Sequence, residues 1–393
     1  MPGIRDELFL QNPWWNSPQA IEQDEKIKAY EASAVKWDVE LKPPQGSVRV
    51  LRGPRQVGKT TAVMLAIRKL LRKNVPPQSV CYVACDLIDS AGKLYDFAAE
   101  FDSFSRLYPA RERFLFIDEA SFVKDWPLAV KRLKDSGRLN GYGVAVTGSN
   151  SADLKKGSER LPGRGIEGNE FFLYPLSFSQ YARAFKKPAS LQVKTPFDLF
   201  ESRLLKKNAW KGLLKLQPGQ RGLGELFAKF LATGGFLKSI NEFESGKEPV
   251  RETYLRWIER DLSAFGRDIR TAQQILRAVI EKKASPASLM SIASQTDISS
   301  HNTVKEYLAL LADMQVLASY ECFDASEKKT VPRKDKKLHF VDPFIAASCA
   351  GWARTVIGEP PVVEGVVAEA IRRTAAQNGL QAGYYRDKAS EVD

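Results

Sequence analysis

One run of eight residues constrains this chain more than any other: Gly53-Pro54-Arg55-Gln56-Val57-Gly58-Lys59-Thr60. It has the form G-x-x-x-x-G-K-T, a backbone loop that wraps phosphate groups only where a strand delivers it and a helix starts at its end. Both flanks meet that condition. Residues 47–52 are rich in valine and leucine, as a short strand is, and the stretch after Thr60 carries Val63, Leu65, Ala66, Leu70 and Leu71 at the spacing of an amphipathic helix. The glycines permit a tight turn whose N–H groups face an anion at the helix N-terminus. Lys59 is placed to reach β- and γ-phosphates and the Thr60 hydroxyl to hold Mg²⁺. Gly53, Pro54, Arg55, Gln56, Val57, Gly58 and Thr61 complete the expected cradle.

A loop of this kind needs a parallel α/β sheet behind it, and the chain has material for more than one domain. At 393 residues, two or three domains are expected. With 44% hydrophobic and 27% charged residues, a substantial core is available. No run approaches the roughly 18 consecutive apolar residues of a membrane span, and the first residues lack the apolar stretch of a secretory signal. Cys81, Cys85, Cys322 and Cys349 are too few and scattered for a zinc site or disulfide framework, so reduced thiols in a cytoplasmic protein are expected. The formal charge of +12 is compatible with a polyanionic partner, although the basic residues are spread along the chain.

Downstream, Phe114-Leu115-Phe116-Ile117-Asp118-Glu119 reads as a buried parallel strand ending in two carboxylates, the Walker B pattern. Ligands collect at such strand ends in open α/β sheets. Asp118 is the expected Mg²⁺ partner and Glu119 the residue that polarises an attacking water. Adjacent Asp and Glu point to hydrolysis of ATP. A third strand, from Gly143 into Thr147-Gly148-Ser149-Asn150, ends in small polar residues. The strand resembles the sensor strand of AAA-type ATPases, which implies Thr147, Ser149 and Asn150 as the alternatives for a contact to the γ-phosphate. Arg164, with Arg160 as a competitor, precedes a further strand, 171–178. A planar guanidinium there suits charge on a transferring phosphoryl group. The position resembles that of the arginine finger in AAA-type proteins, which implies that Arg164 acts across a subunit boundary in a homo-oligomer.

Taken together, these motifs resemble a group of prokaryotic, mostly archaeal, AAA-like P-loop ATPases. The resemblance extends from Asn12-Pro13-Trp14-Trp15 through the Walker residues, Asp125-Trp126 and Tyr174-Pro175-Leu176-Ser177-Phe178 to Thr233-Gly234-Gly235-Phe236, Tyr385-Arg386 and Glu391-Val392-Asp393. It implies an α/β core of AAA type with helices on both faces, then a helical lid, a winged helix and a nuclease-like tail. The expected boundaries are an N-terminal helical arm at 1–45, the ATPase core at 46–178, the lid at 179–268, the winged helix at 269–345 and the tail at 346–393. ATP and Mg²⁺ are the implied cofactors. In nuclease-like relatives Glu364 and Asp393 sit among metal-binding acids. The strand that should follow is missing after Asp393, so nuclease activity is not expected and the chain reads as a shortened form.

The stretch from Ile269 to Val341 itself reads as three helices and two strands, a winged helix in outline. Ser285-Pro286 is the expected start of its second helix. The outward face of the third helix, with Asn302, Lys305, Glu306 and Asp313, is mixed in charge and ill suited to reading bases. The hairpin loop instead gathers Lys328, Lys329, Arg333, Lys334, Lys336 and Lys337, a set suited to DNA phosphates. Two readings stay open: an ATPase that binds or remodels DNA through this wing, and an ATP-controlled signalling or defence switch acting on a protein partner.

Overall fold

The computed structural model describes residues 3–86, 88–148, 170–185, 220–298, 300–324, 326–327, 329–331, 334–386 and 391–392. They form two compact units, Met1–Tyr174 and Pro175–Asp393.

The first unit opens with helices α1 (Ile4–Gln11) and α2 (Glu25–Ala32), followed by strand β1 (Val48–Arg52) and helix α3 (Lys59–Arg72). Next come β2 (Val80–Ala84), α4 (Ala91–Ser105), β3 (Arg113–Asp118), α5 (Trp126–Asp135), β4 (Tyr142–Gly148) and β5 (Glu170–Phe172). The five strands lie side by side in the order β2-β3-β4-β1-β5, all parallel. The step from β1 to β2 crosses the sheet in the opposite direction to the steps through β3 and β4. Right-handed crossovers therefore put α3 on one face and α4 and α5 on the other. A sheet covered on both faces needs apolar strands, and Phe114, Leu115, Phe116 and Ile117 are fully buried.

The open edge of β2 is covered by side chains instead of by another strand. Trp14 and Trp15 both donate their indole N–H to the Val80 carbonyl, at 2.9 and 2.8 Å. Asn12 accepts from the Tyr82 N–H at 2.6 Å and donates to the Tyr82 carbonyl at 2.9 Å. Gln11 accepts from the Ala84 N–H at 2.8 Å. An unpaired edge is a template for aggregation, and these residues close it. Trp15 also stacks on Phe104 with ring centroids 4.6 Å apart. On the P-loop helix, Arg68 pairs with Glu31 of α2 at 2.6 Å and Lys69 pairs with Asp38, which ties the arm to α3 as well.

The second unit contains α6 (Phe178–Ala184), α7 (Gln220–Thr233), α8 (Leu237–Glu244), α9 (Arg251–Ala264), α10 (Ile269–Glu281), α11 (Leu289–Ala293) and α12 (His301–Asp313). Strands β6 (Leu317–Asp324), β7 (Lys329–Val331) and β8 (Lys337–Phe340) follow. Then come α13 (Pro343–Trp352), α14 (Glu359–Gln377), β9 (Gly383–Arg386) and β10 (Glu391–Val392). The three helices expected between 269 and 317 are present. The second starts later than Ser285-Pro286 suggests: Ala287 is extended and exchanges two backbone hydrogen bonds with Lys336, so Ser288 becomes the N-cap. Strand β6 is the hub of this unit's sheet, antiparallel to β7 and β8 and parallel to β9. The β6–β9 pair puts the tail into one sheet with the helices' strands, across the boundary at 345/346 that the sequence suggested.

A buried carboxylate fixes the centre of the second unit. Asp342 caps α13 by accepting from the N–H groups of Phe344 at 2.9 Å and Ile345 at 3.4 Å. Its other oxygen accepts from the Gly235 N–H at 2.7 Å. Gly235 leaves no room for a side chain, since a Cβ there would lie 2.1 Å from the Leu176 carbonyl oxygen. Burial pushes the Asp342 carboxyl up to about 6, with the three N–H groups and Arg373 acting in the opposite sense. An unfolded aspartate ionises near 3.8, so between the two values the unfolded chain holds fewer protons and stability falls as pH rises. The shift corresponds to a loss on the order of 3 kcal/mol across that interval. Urea unfolding at pH 4 and pH 6 should show this fall in the wild-type chain and a flatter dependence in Asp342→Asn; equal slopes would mean that Asp342 ionises as it does in the unfolded chain.

Candidate nucleotide-binding site

The loop between β1 and α3 is shaped by its backbone. Gly53 sits so close to the chain after β5 that a Cβ would lie 2.4 Å from the Leu173 carbonyl oxygen. Gln56 and Gly58 adopt left-handed φ values of 63° and 101°, which turn successive N–H groups toward one side before α3 begins. Val57 and Pro54 are buried, whereas Gln56 is exposed. Arg55 lies with its guanidinium 5.6 Å from the Phe122 ring centroid. Thr61 is half-buried in the first turn of α3.

Lys59, the first residue of α3, is buried and donates to the carbonyls of Gly53 at 3.1 Å and Pro54 at 3.0 Å. Its ammonium is 3.6 Å from the Glu119 carboxylate. Burial lowers the lysine pKa, and the charges of Glu119 and Asp118 oppose that shift. The ammonium thus lies between the loop backbone and the two carboxylates at the end of β3.

Asp118 is 3% exposed and is held by hydroxyls from three elements. Thr60 of α3 donates to one carboxylate oxygen at 2.8 Å, and Tyr82 of β2 donates to the same oxygen at 3.0 Å. Thr147 of β4 donates to the other oxygen, and its own oxygen accepts from the Glu119 N–H at 3.0 Å. Burial raises the Asp118 pKa, while the hydroxyls of Thr147, Thr60 and Tyr82 lower it. Burial also raises the Tyr82 phenol far above its usual value, with the adjacent Asp118 charge adding to the effect, so the phenol is a donor at neutral pH. Glu119 itself has a left-handed backbone, φ 54° and ψ 42°. That conformation is uncommon for a residue with a side chain.

The sequence expectations can be set against these positions one by one. Lys59, Thr60, Asp118 and Glu119 converge, and β4 lies between the two strands that carry them. Thr147, expected as an alternative for the γ-phosphate, is fully buried and hydrogen-bonded to Asp118 and to the Glu119 N–H. Ser149, Asn150, Arg160 and Arg164 lie outside the described residues, as do Lys328, Arg333 and Asp393. In the second unit Lys337 is turned inward, 3% exposed and 3.0 Å from Glu364, which removes it from the expected basic surface. Lys329 pairs with Glu327 at 3.1 Å and Lys336 with Glu321 at 3.3 Å, and Lys334 is exposed. Tyr82 was not anticipated. Its only sequence signal is a hydroxyl-bearing residue inside an otherwise apolar strand.

The donor set suits a hard divalent cation. The Thr60 hydroxyl and the Asp118 carboxylate are both oxygen donors, already within 2.8 Å of each other beside the phosphate loop. Among the described residues there is no cluster of three or more His, Cys, Asp or Glu that could hold a metal ion by protein ligands alone. A cation held by one hydroxyl and one carboxylate together with substrate phosphates matches the usual mode for Mg²⁺. All four cysteines are buried free thiols. No helix among the described residues is long and apolar enough to cross a membrane.

Residues 45–182 match the family model described as an AAA domain, in agreement with the sheet order and the carboxylates beside the loop. Residues 224–355 match a second model, described as a domain of unknown function (DUF8612). Over 301 residues the chain is 24% identical to an uncharacterized protein of Methanocaldococcus jannaschii, covering 75% of this chain and 56% of that one. The chain therefore spans little more than half the length of this curated relative. Among solved structures, it is similar to the Walker-type ATPase of Pyrococcus abyssi, with a TM-score of 0.45 at 14% identity over 77% of this chain and 90% of that one. It is also similar to the Orc1 protein of Aeropyrum pernix in complex with DNA, with a TM-score of 0.34 at 12% identity over 93% and 94% of the two chains.

If Thr147 orients the two acids, its hydroxyl should matter for stability. Thr147→Val keeps the shape but removes the hydroxyl that donates to buried Asp118 and accepts from the part-buried Glu119 N–H. Denaturant unfolding should show a loss of about 1–3 kcal/mol; an unchanged midpoint and slope would show the hydroxyl to be dispensable.

Proposed function

We propose that the chain hydrolyses ATP at the site formed by the P-loop and the end of β3, with Mg²⁺ as cofactor. The observation that carries this reading is the adjacency of Asp118 and Glu119 to Lys59 and Thr60. A loop that only binds phosphate needs the last two; a second carboxylate beside the first supports water activation. Lys59 would place positive charge on the β- and γ-phosphates, and the P-loop N–H groups would orient them. Thr60 and Asp118 would hold Mg²⁺, which when bound neutralises developing phosphate charge. Glu119 would accept a proton from the attacking water. Its left-handed backbone and its N–H bond to Thr147 keep the carboxylate beyond the strand end, beside Lys59, and its side chain keeps 23% exposure to solvent. An arginine supplied by a neighbouring subunit, Arg164 in our reading, would make an oligomer the active form.

Replacing Glu119 by Gln removes the base and keeps the shape. Turnover should fall by roughly 10²–10⁴-fold while ATP still binds. Hydrolysis at the wild-type rate would exclude Glu119 as the base.

The order of elements from α10 to β8 supports a winged helix, with α12 as its third helix and β6–β8 as its hairpin. For the load we propose DNA, gripped at its phosphates through the hairpin. The described part of that surface comprises half-exposed Lys336 and exposed Lys329 and Lys334; the last two are the ones to test. Replacing both by Gln should weaken duplex DNA binding and flatten its salt dependence by about 0.9 in log–log slope for each phosphate no longer neutralised. The inward turn of Lys337 and the ion pairs of Lys329 and Lys336 favour the second reading, a nucleotide-controlled switch whose partner is protein. DNA affinity and salt slope unchanged in the double variant would decide for that second reading.

A further inference from the structure

We propose that Tyr82 is a positioning residue for the Asp118 carboxylate and that Asn12, in the N-terminal arm, holds Tyr82 in place, so that the arm forms part of the nucleotide site. This rests on the reading of Asp118 as a Mg²⁺ partner. Tyr82 donates at 3.0 Å to the same carboxylate oxygen that accepts from Thr60 at 2.8 Å. The two hydroxyls approach it from different elements and fix the plane of the carboxylate. Among the described residues, Tyr82 in turn belongs to an edge strand whose strand partner is β3. On its other side a single buried side chain, Asn12, binds both its N–H and its C=O. Asn12 is itself anchored at 2.8 Å to the Leu8 carbonyl of α1. The neighbouring contacts of Gln11, Trp14 and Trp15 repeat this along the strand.

An edge strand held only by β3 can slide or rotate, and a shift of about 0.5 Å is enough to take a hydroxyl out of good hydrogen-bond geometry. The arm removes that freedom. An outer partner of a metal-binding carboxylate typically changes metal affinity by roughly 10–100-fold when lost. Tyr82 acts through Asp118 and touches neither substrate nor cation, so its contribution appears in the Mg²⁺ requirement and leaves the phosphate loop unaffected.

Binding of a fluorescent ATP analogue by the full chain, titrated with Mg²⁺, tests this. Tyr82→Phe preserves the ring and removes only the hydroxyl. Its affinity for the analogue in EDTA should match wild type within about twofold, while the Mg²⁺ concentration giving the half-maximal increase should rise roughly tenfold. Asn12→Ala should raise that concentration in the wild-type background and add less than about twofold in the Tyr82→Phe background, because both act through one hydroxyl. A wild-type Mg²⁺ midpoint in Tyr82→Phe would reduce Tyr82 to packing and overturn the proposal. Equal effects of Asn12→Ala in both backgrounds would overturn the role of the arm. Analogue binding by wild type that is indifferent to Mg²⁺ would instead overturn the reading of Asp118 itself, and this inference with it.

Discussion

The candidate nucleotide site depends on a carboxylate that is buried among hydroxyl groups. Desolvating an anion is costly, and Asp118 is almost wholly removed from water. Burial raises its pKa, and hydroxyls from α3, β2 and β4 oppose that shift, with the Lys59 ammonium nearby. Of these, α3 and β2 follow one another in the chain, whereas β4 comes only after α4, β3 and α5. Their meeting requires β4 to lie between β1 and β3, which the sheet order provides. In that sense the topology that buries the apolar strands of the first unit also brings this oxygen cluster together.

The second unit is organised around a carboxylate of a different kind. Asp342 is also buried, but its partners are backbone N–H groups at the start of α13 and at Gly235. A backbone N–H only donates, and it cannot coordinate a cation. A hydroxyl donates to a carboxylate and can also offer a lone pair to a metal. The donors therefore distinguish the two hubs: the one lined with hydroxyls can bind a cation, and the one lined with amides fixes a turn against a helix. The Gly234-Gly235 pair, which follows the end of α7 with Gly234 at a left-handed φ of 63°, serves this structural hub.

Much of the first unit was legible because its signals are local. The P-loop, its flanking strand and helix, and the paired acids are each contiguous runs whose pattern follows from backbone geometry alone. What was not legible depends on pairing between distant segments. The burial of Thr147 follows from the register of β4 between β1 and β3, which no short window encodes. Tyr82 is significant only because Asn12, 70 residues earlier, meets it at the sheet edge. Lys337 looked like a member of a basic hairpin. Its inward turn is set by Glu364, 27 residues later, on a helix packed against the strand.

The same reasoning explains why the arm belongs with the site. Two aromatic residues packed on a core would stabilise the unit anywhere along its surface, and Trp15 does stack on Phe104. A hydrophobic contact is tolerant of small displacements, whereas hydrogen bonds to a strand edge are not. Asn12, Gln11 and the two indole N–H groups together saturate alternate backbone groups of β2 at fixed spacing. That pattern specifies the position of the strand as well as its burial. The residue whose N–H and C=O are both bound, Tyr82, is the one whose hydroxyl reaches Asp118. Precision has been directed to the one place on that edge where half an ångström changes the chemistry.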